Sequence, residues 1–351
     1  MRRNSLLLGL VFAVTRALSG VDDKGGSFAP AAEADKAKAK LLKADRIWNQ
    51  GKHNAFTDLV RFKDRWYCVF REGTDHGSPD GVLRIIRSAD AKRWDVAATL
   101  SLKGLDLRDP KIMVTPDGRL MLLAGAWKMK EDSIQSLVWF SDDGAKWSDE
   151  TKVGEPNVWL WRVLWHKRTA YGVGYDYGGK PLTRLYTSKD GVKYEPLVET
   201  LFDRGKPSES ALLFLEDDTL LCLLRRDPVD IKDTKPWAQL GIAKAPYKDW
   251  RWKDLGMQAA SPQMLRLPDG RIAVGARLYK GGMHFSLCWL DVKAGTLTED
   301  VNFPTLGANE MGYPGMVWHD GRLWLSYYSS HEKPDYKASI YFAQVDIGKV
   351  R

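Results

Sequence analysis

Polar and charged side chains stand at the two ends of a series of apolar runs that recur along the 351-residue chain. Those that precede a run are Asp58, Asp109, Arg162, Glu209, Gln263 and Tyr313. Those that follow the next run are Arg71, Tyr175, Arg225, Arg277 and His331. Buried charges persist only where they are paired or where a ligand completes them, so these groups, if they meet, form a candidate functional site. The alternative is a set of Arg–carboxylate pairs that only hold structural elements together.

The elements that carry these residues are predicted to be β-hairpins. Runs rich in Val, Ile, Leu, Tyr and Trp occur in pairs around short polar turns. The six turns are centred on residues 64, 117, 167, 217, 269 and 320, so successive turns are 53, 50, 50, 52 and 51 residues apart. A period near 50 suits one four-stranded antiparallel sheet per repeat. The sequence therefore predicts an all-β, six-bladed β-propeller over residues 45–351.

The last repeat has one strand too few within its own segment. Residues 339–347 supply its third strand, and the sequence ends soon afterwards. We expect the residues around Asp45–Trp48 to supply the outer strand, so that the two ends of the chain close the ring. Residues 20–44, which include an Ala- and Lys-rich stretch, are predicted to form a linker or a short surface helix.

Propeller geometry predicts where the polar residues meet. The start of the first strand of a hairpin and the end of the second lie at the same edge of the sheet, so all of them should face one side of the ring. His53, His76 and His331 are expected on this face, near the junction of blades one and six. Imidazole is a common metal ligand, but the spacing matches no metal motif, so no metal is predicted and substrate hydrogen bonding is the expected role.

A second pattern, Ser-x-Asp-Gly-x-x-Trp/Tyr, lies between the hairpins. It occurs at 88–94, 141–147 and 188–194, with Ala91 in place of glycine in the first copy. Asp and Ser side chains satisfy backbone N–H groups in such turns, and the aromatic residue anchors the turn. These residues are predicted to be structural.

Together these motifs make the chain resemble the Asp-box sialidases (neuraminidases), which are six-bladed propellers that cleave terminal sialic acid. The resemblance covers residues 45–347. It implies that Tyr313, in Gly-Tyr-Pro-Gly, is the nucleophile and that Glu209, in Pro-Ser-Glu-Ser, is its base. Sialidases are the tyrosine exception among retaining glycosidases, because a neutral phenol is not repelled by the substrate carboxylate. Asp75 or Asp80 would protonate the leaving oxygen, with Asp75 nearer to the strand end.

The resemblance also implies binding roles. Arg225 and Arg277 fall where the family has arginines that clamp the substrate carboxylate, to which a guanidinium fork is well matched. Asp109 and Arg71 resemble residues that contact the sugar. The family's first-strand Phe-Arg-Ile-Pro has no counterpart, since residues 53–58 read His-Asn-Ala-Phe-Thr-Asp. One of three carboxylate-binding arginines is therefore missing, or is replaced by Arg71 or Arg162.

The functional expectation is a secreted glycoside hydrolase that removes a terminal acidic sugar, such as sialic acid, from a glycan. Two alternatives stay open: an exo-glycosidase for a non-sialic sugar, and a non-catalytic propeller that binds glycans. The sequence does not indicate the oligomeric state.

Composition excludes several other classes. The chain carries 53 Lys and Arg against 45 Asp and Glu, a net charge of +8, without the arginine-rich stripe that nucleic-acid binding would need. It lacks a glycine-rich phosphate loop, so no nucleotide cofactor is expected. Cys68, Cys222 and Cys288 lie in apolar runs and are predicted to be buried and free.

The N-terminus has the three-part plan of a signal peptide. Arg2 and Arg3 precede an apolar stretch at 6–14, and small residues follow at 17 and 19. Residues 1–19 are therefore predicted to be removed, which places the protein in the periplasm or outside the cell. No later stretch is long and apolar enough to span a membrane.

Overall fold

The chain folds into six small antiparallel sheets. The computed structural model describes residues 38–230, 232–332 and 337–348, so the predicted signal peptide and most of the predicted linker lie outside the described residues. The described residues form 24 strands in six four-stranded sheets. None of them belongs to a helix of the length and hydropathy needed to cross a membrane. The all-β, six-bladed propeller is thereby confirmed.

Blades one to three follow one another along the chain, each from its inner to its outer strand. Blade one consists of β2 (His53–Phe62), β3 (Arg65–Gly73), β4 (Val82–Ser88) and β5 (Asp95–Leu100). Blade two consists of β6 (Asp106–Val114), β7 (Leu120–Lys128), β8 (Ser133–Ser141) and β9 (Thr151–Val153). Blade three consists of β10 (Val158–His166), β11 (Thr169–Asp176), β12 (Thr183–Ser188) and β13 (Glu195–Phe202).

Blades four and five repeat this order, and blade six takes its outer strand from the start of the domain. Blade four consists of β14 (Lys206–Phe214), β15 (Leu220–Asp227), β16 (Gln239–Ala243) and β17 (Arg251–Asp254). Blade five consists of β18 (Ala259–Arg266), β19 (Ile272–Leu278), β20 (His284–Asp291) and β21 (Thr296–Asn302). Blade six consists of β22 (Met311–His319), β23 (Arg322–Ser329), β24 (Ser339–Asp346) and β1 (Lys40–Trp48).

The hydrophobic core lies between neighbouring blades. Val69 and Leu83 of blade one, for example, pack in one buried cluster with Leu107 and Leu122 of blade two. Each sheet thus buries its apolar faces against the next blade. The inner strands β2, β6, β10, β14, β18 and β22 contact one another in this order, and β22 contacts β2 again, which closes the ring.

The ring is sealed by pairing between the two ends of the domain, as the sequence predicts. Strand β1 runs antiparallel to β24, from Lys40 opposite Asp346 to Trp48 opposite Ile340, with register shifts after Leu41 and after Arg46. It begins five residues before the predicted domain start, so residues 40–44 are strand and not linker or helix. The Ala- and Lys-rich composition does not predict this strand, which is stabilised by the packing of Leu41 and Ala44 against the blade-six core.

The Ser-x-Asp-Gly turns are held by their own side chains. Asp143 Oδ1 accepts the backbone N–H groups of Ala145 and Lys146, both at 2.8 Å. The carboxylates of Asp90 and Asp190 bind the matching backbone groups of their turns. The glycine positions have positive φ, and Ala91 adopts +60° in the first copy. The structural role predicted for these residues is confirmed.

A β-bulge interrupts each of the six inner strands near its first residue. The pairing skips at 55–58, 108–111, 160–162, 207–210, 260–263 and 312–315. Four residues inside these bulges have positive φ, namely Phe56, Asp109, Ser261 and Tyr313. Bulges re-aim side chains, and non-glycine residues with positive φ concentrate at functional sites. The repeated bulge is the local feature that positions the candidate site.

Candidate active site

The centre of the site is a hydrogen-bonded pair formed by Tyr313 and Glu209. The Tyr313 hydroxyl donates to Glu209 Oε1. Arg225 Nη1 donates to the same oxygen at 2.6 Å, and the Ser261 backbone N–H donates to Oε2 at 2.5 Å. Blades four, five and six therefore each contribute to holding one carboxylate, whose side chain is only 5% exposed.

The electrostatics of this pair keep its proton on tyrosine. Burial acts to raise the pKa of Glu209, but the charge of Arg225 and the hydrogen bond from Tyr313 outweigh it, so the pKa lies below its ordinary value. Burial, reinforced by the Glu209 charge, raises the pKa of Tyr313 well above its ordinary value. The resting pair is a neutral phenol that donates to a carboxylate.

Arg225 and Arg277 flank the pair from blades four and five. Arg225 also binds Asp227 through Nε at 3.0 Å. Arg277 donates to the Met311 carbonyl from Nε at 2.9 Å and from Nη2 at 2.6 Å, and its guanidinium lies 5.3 Å from the centre of the Tyr313 ring. Among the described residues, Arg225 Nη2 and Arg277 Nη1 have no hydrogen-bond partner. Each arginine therefore keeps one terminal donor for a ligand.

Asp109 is a buried carboxyl group in the bulge of β6. It is 4% exposed, and burial raises its pKa against the opposing charges of Arg108 and Lys111. Its Oδ1 has no hydrogen-bond partner within the described chain. The charges of Asp109 and Glu209 each raise the pKa of both Tyr175 and Tyr313, which shows that the two carboxyl groups act on the same region.

The loop after Arg71 places the two predicted acids at its exposed surface. Asp80 accepts hydrogen bonds from the backbone and hydroxyl of Thr74. Burial acts to raise the pKa of Asp80, but hydrogen bonds from Ser78 and Thr74 outweigh it and lower the pKa to about 2. The Asp75 carboxylate accepts the backbone N–H of His76 at 2.7 Å. Asp80 is therefore a poor proton donor.

Arg71 is bound on all sides by protein groups. Its side chain is fully buried and pairs with Asp106, with Nε to Oδ1 at 2.6 Å and Nη2 to Oδ2 at 3.1 Å. Its remaining donors bind the Asp75 carbonyl and the Ser78 hydroxyl. Sequence reasoning assigned Arg71 to the sugar, but the structure makes it an anchor for the loop, because every guanidinium nitrogen already has a protein partner.

The other predicted site residues divide between the ring interior and blade six. Asp58 and Arg162 follow their bulges, and Arg162 Nη1 pairs with Asp58 across the ring at 3.2 Å, while Arg162 Nε has no hydrogen-bond partner in the described chain. Gln263 is half-buried and lies opposite Gly275 just beyond the bulge of β18. His331 binds Ser329 through Nδ1 at 2.9 Å, and its ring lies 4.9 Å from that of Tyr341.

Sequence reasoning missed two residues beside Tyr313. Lys111 is 1% exposed, and its ammonium lies 4.8 Å from the Trp161 ring centre and 5.9 Å from that of Tyr313. Burial, helped by the charge of Arg162, lowers the pKa of Lys111 to about 8. Trp161 lies in the blade-three bulge with its ring centre 5.9 Å from that of Tyr313. Both occupy repeat positions equivalent to residues that were selected, so comparing the six bulges would have found them.

Two of the three predicted histidines meet on this face. His53 and His76 lie with their ring centres 5.5 Å apart, and both contact the carboxylate of Glu310. Sequence reasoning did not select Glu310, which precedes β22 by one residue. Among the described residues, these three form the group of metal-ligating side chains (His, Cys, Asp or Glu) that lie close enough together to hold a metal ion.

No protein-family model matches the sequence, and no curated protein matches it significantly. Solved structures do match it in fold. A Dyadobacter fermentans protein of unknown function superposes with a TM-score of 0.75 at 18% identity, over 89% of this chain and 100% of that one. Penicillium chrysogenum α-L-arabinanase, in complex with arabinobiose, gives a TM-score of 0.67 at 15% identity, over 88% and 99%.

Trypanosoma rangeli sialidase, in complex with the inhibitor DANA, gives a TM-score of 0.63 at 13% identity, over 84% of this chain and 55% of the sialidase. This chain thus spans about half of the sialidase. At these identities the likeness is one of fold: the chain has a sialidase-like propeller, which it shares with an arabinanase as well.

Proposed function

We propose that the protein is a retaining glycoside hydrolase in which Tyr313 is the nucleophile and Glu209 is its base. The observation that supports this most directly is the hydrogen bond from the Tyr313 hydroxyl to a carboxylate kept ionised by Arg225. A nucleophile hydrogen-bonded to a base that a third group orients is the general signature of covalent catalysis. A purely structural tyrosine would not need a buried, ionised carboxylate at its hydroxyl.

The proposed reaction has two steps. The Tyr313 oxygen attacks the anomeric carbon while its proton passes to Glu209, and the bond to the leaving oxygen breaks as an acid protonates that oxygen. Water then attacks the glycosyl-tyrosine, the ionised acid takes a proton from the water, and Glu209 returns its proton to the departing Tyr313 oxygen. Tyrosine replaces the usual carboxylate nucleophile in sialidase-type hydrolysis.

We assign the acid to Asp109, because its environment favours the protonated form that a general acid needs. Asp75 is the second candidate, since it lies on an exposed loop that a bound sugar can reach. Asp80 is disfavoured by its low pKa.

The proposed substrate is a terminal acidic sugar of a glycan, with sialic acid as the first candidate. The free terminal donors of Arg225 and Arg277 come from adjacent blades near the Tyr313–Glu209 pair, which suits a carboxylate next to the anomeric carbon. A neutral sugar is the second candidate. It is favoured by the engagement of both arginines with protein oxygens.

The test is release of 4-methylumbelliferone from its α-sialoside, α-L-arabinofuranoside and other aryl glycosides by the purified protein, beside Tyr313→Phe. Turnover of the sialoside that the variant lacks supports a sialidase. Turnover of another glycoside alone supports the neutral-sugar candidate. If no glycoside is cleaved while glycan arrays show binding, the protein is a glycan-binding propeller and the catalytic proposal fails.

Export to the periplasm or the medium remains part of the proposal. It rests on the signal-peptide pattern of residues 1–19. N-terminal sequencing of the protein recovered from a secreting host tests it, with a new N-terminus near residue 20 as the expected result.

A further inference from the structure

Three side chains from separate segments converge at the junction of blades one and six. His53 is the first residue of β2, His76 lies in the loop between β3 and β4, and Glu310 precedes β22. His53 Nε2 lies 2.7 Å from Glu310 Oε2, and His76 Nδ1 lies 3.0 Å from Glu310 Oε1. Each carboxylate oxygen thus faces one imidazole nitrogen, and the candidate ligand atoms all lie within 4.8 Å of one another.

Glu310 supplies the acidic group of this cluster and has little contact with water. The Glu310 side chain is only 13% exposed, and within the described residues it forms no ion pair with lysine or arginine. Its partners are the two imidazole rings. A carboxylate withdrawn from water needs a compensating positive charge. A divalent cation between the three side chains would supply it.

The surroundings hold two of the groups in place and leave the third accessible. His53 is 1% exposed, while the Glu310 backbone N–H donates to the Ser330 hydroxyl at 3.2 Å. His53 Nδ1 has no hydrogen-bond partner in the described chain, so the ring proton can reside there and leave the Nε2 lone pair for a metal. The His76 side chain is 52% exposed, which leaves room for water or another ligand on the open face.

We propose that His53, His76 and Glu310 bind a divalent transition-metal ion of the zinc class. Two imidazole nitrogens and one carboxylate are a donor set that zinc accepts, with a fourth position left open. Hard cations such as Ca²⁺ and Mg²⁺ prefer all-oxygen sites. The Phe56 ring separates the site from the nucleophile, with its centre 5.3 Å from that of His76 and 5.0 Å from that of Tyr313. This proposal is independent of the proposed hydrolase activity.

The experiment measures metal binding by the tag-free full chain. Zn²⁺ is titrated calorimetrically, and Co²⁺ is added to record the visible absorption bands of a bound cobalt ion, with Ca²⁺ and Mg²⁺ as comparison ions. The variants are His76→Ala, on an exposed loop where folding should tolerate it, and Glu310→Gln, which keeps the shape of the side chain. His331→Ala is the matched control, because this histidine lies in blade six directly after Ser330, which binds the Glu310 backbone, but outside the cluster.

The expected result is one Zn²⁺ per chain, a cobalt spectrum that includes histidine ligation, and a rise in the unfolding midpoint with zinc. Each cluster variant should weaken Zn²⁺ binding by about 100-fold or more, since even outer-shell changes cost 10–100-fold, while His331→Ala should bind like the parent. Absence of stoichiometric binding, equal binding by His76→Ala, or preference for Ca²⁺ would each overturn the proposal. In those cases the cluster is a hydrogen-bonded bridge between the two blades.

Discussion

The Tyr313 hydroxyl and the Glu209 carboxylate are 104 residues apart in sequence, yet they form a direct hydrogen bond inside the ring. Both residues lie in bulges of inner strands, β22 and β14, that belong to different blades. Side chains along a regular strand point alternately to its two faces, and the bulge changes the direction of these two side chains. Their contact therefore depends on the ring as a whole, because no single blade contains both groups.

Removal of the Tyr313 hydroxyl should abolish turnover without loss of the fold. Tyr313→Phe takes away the attacking oxygen, and Glu209→Gln takes away its base, so each should lower kcat by at least about 10²- to 10⁴-fold. The check is steady-state kinetics on whichever aryl glycoside the parent cleaves. Tyr327→Phe is the matched control: Tyr327 is fully buried and its hydroxyl has no partner in the described chain, so its activity should equal that of the parent.

The pH profile of kcat/KM should be bell-shaped. Glu209 must be ionised to accept a proton, and its pKa lies below the ordinary value, so activity should fall only at strongly acidic pH. Asp109 must be protonated to donate, and its pKa lies above the ordinary value, so activity should persist above the usual carboxyl range and then fall. An activated aryl leaving group departs without protonation by the acid, so the Asp109→Asn variant should still cleave such a substrate. Its pH profile should lack the alkaline limb.

The same profile separates the two candidate acids. If Asp75→Asn removes the alkaline limb and Asp109→Asn retains it, the proton donor is the loop residue and Asp109 only positions the sugar. The control is Asp80→Asn, because a carboxyl group with a pKa of about 2 cannot produce a limb near neutrality.

The sequence predicts the six-bladed ring well because the regular spacing of the hairpin turns can be read directly along the chain. Every predicted hairpin turn lies between the first two strands of a blade, and the strand-start rule selected Asp109, Glu209 and Tyr313. It could not separate residues inside a bulge from those just beyond it, such as Asp58 and Arg162, since a bulge has no sequence period. The strand-start rule also could not predict that Arg71 pairs with Asp106, because these two residues belong to different blades.

The Arg71–Asp106 ion pair should contribute to stability and not to substrate binding. Both side chains are fully buried, and among the described residues Arg71→Ala leaves the Asp106 carboxylate with only the longer ion pair to Arg108 Nη1 at 3.5 Å, so the substitution should cost about 3–5 kcal/mol. Urea unfolding measures this change. Arg119→Ala, which breaks an exposed pair with Asp117, should cost at most about 1 kcal/mol. A folded Arg71→Ala protein with unchanged stability and a raised KM would restore the sugar-binding role.

Closure of the ring should depend on Trp48, the last residue of β1. Trp48 is 7% exposed, its Nε1 donates to Glu72 Oε2 at 2.7 Å, and its ring centre lies 5.7 Å from that of Phe70. It thus joins the outer strand of blade six to blade one. Trp48→Ala should destabilise the protein by about 3–5 kcal/mol, measured by urea unfolding.

Two further variants separate the contribution of the Trp48 side chain to stability from that of the backbone pairing between β1 and β24. Leu42→Ala, on the same strand but 42% exposed, should change stability by no more than about 0.5 kcal/mol. Trp48→Phe keeps a ring but loses the hydrogen bond to Glu72, so its effect should lie between the other two, nearer to about 1 kcal/mol. Equal losses in Trp48→Ala and Leu42→Ala would mean that backbone pairing with β24 alone closes the ring. A larger loss in Trp48→Ala means that the side chain contacts with blade one are required as well.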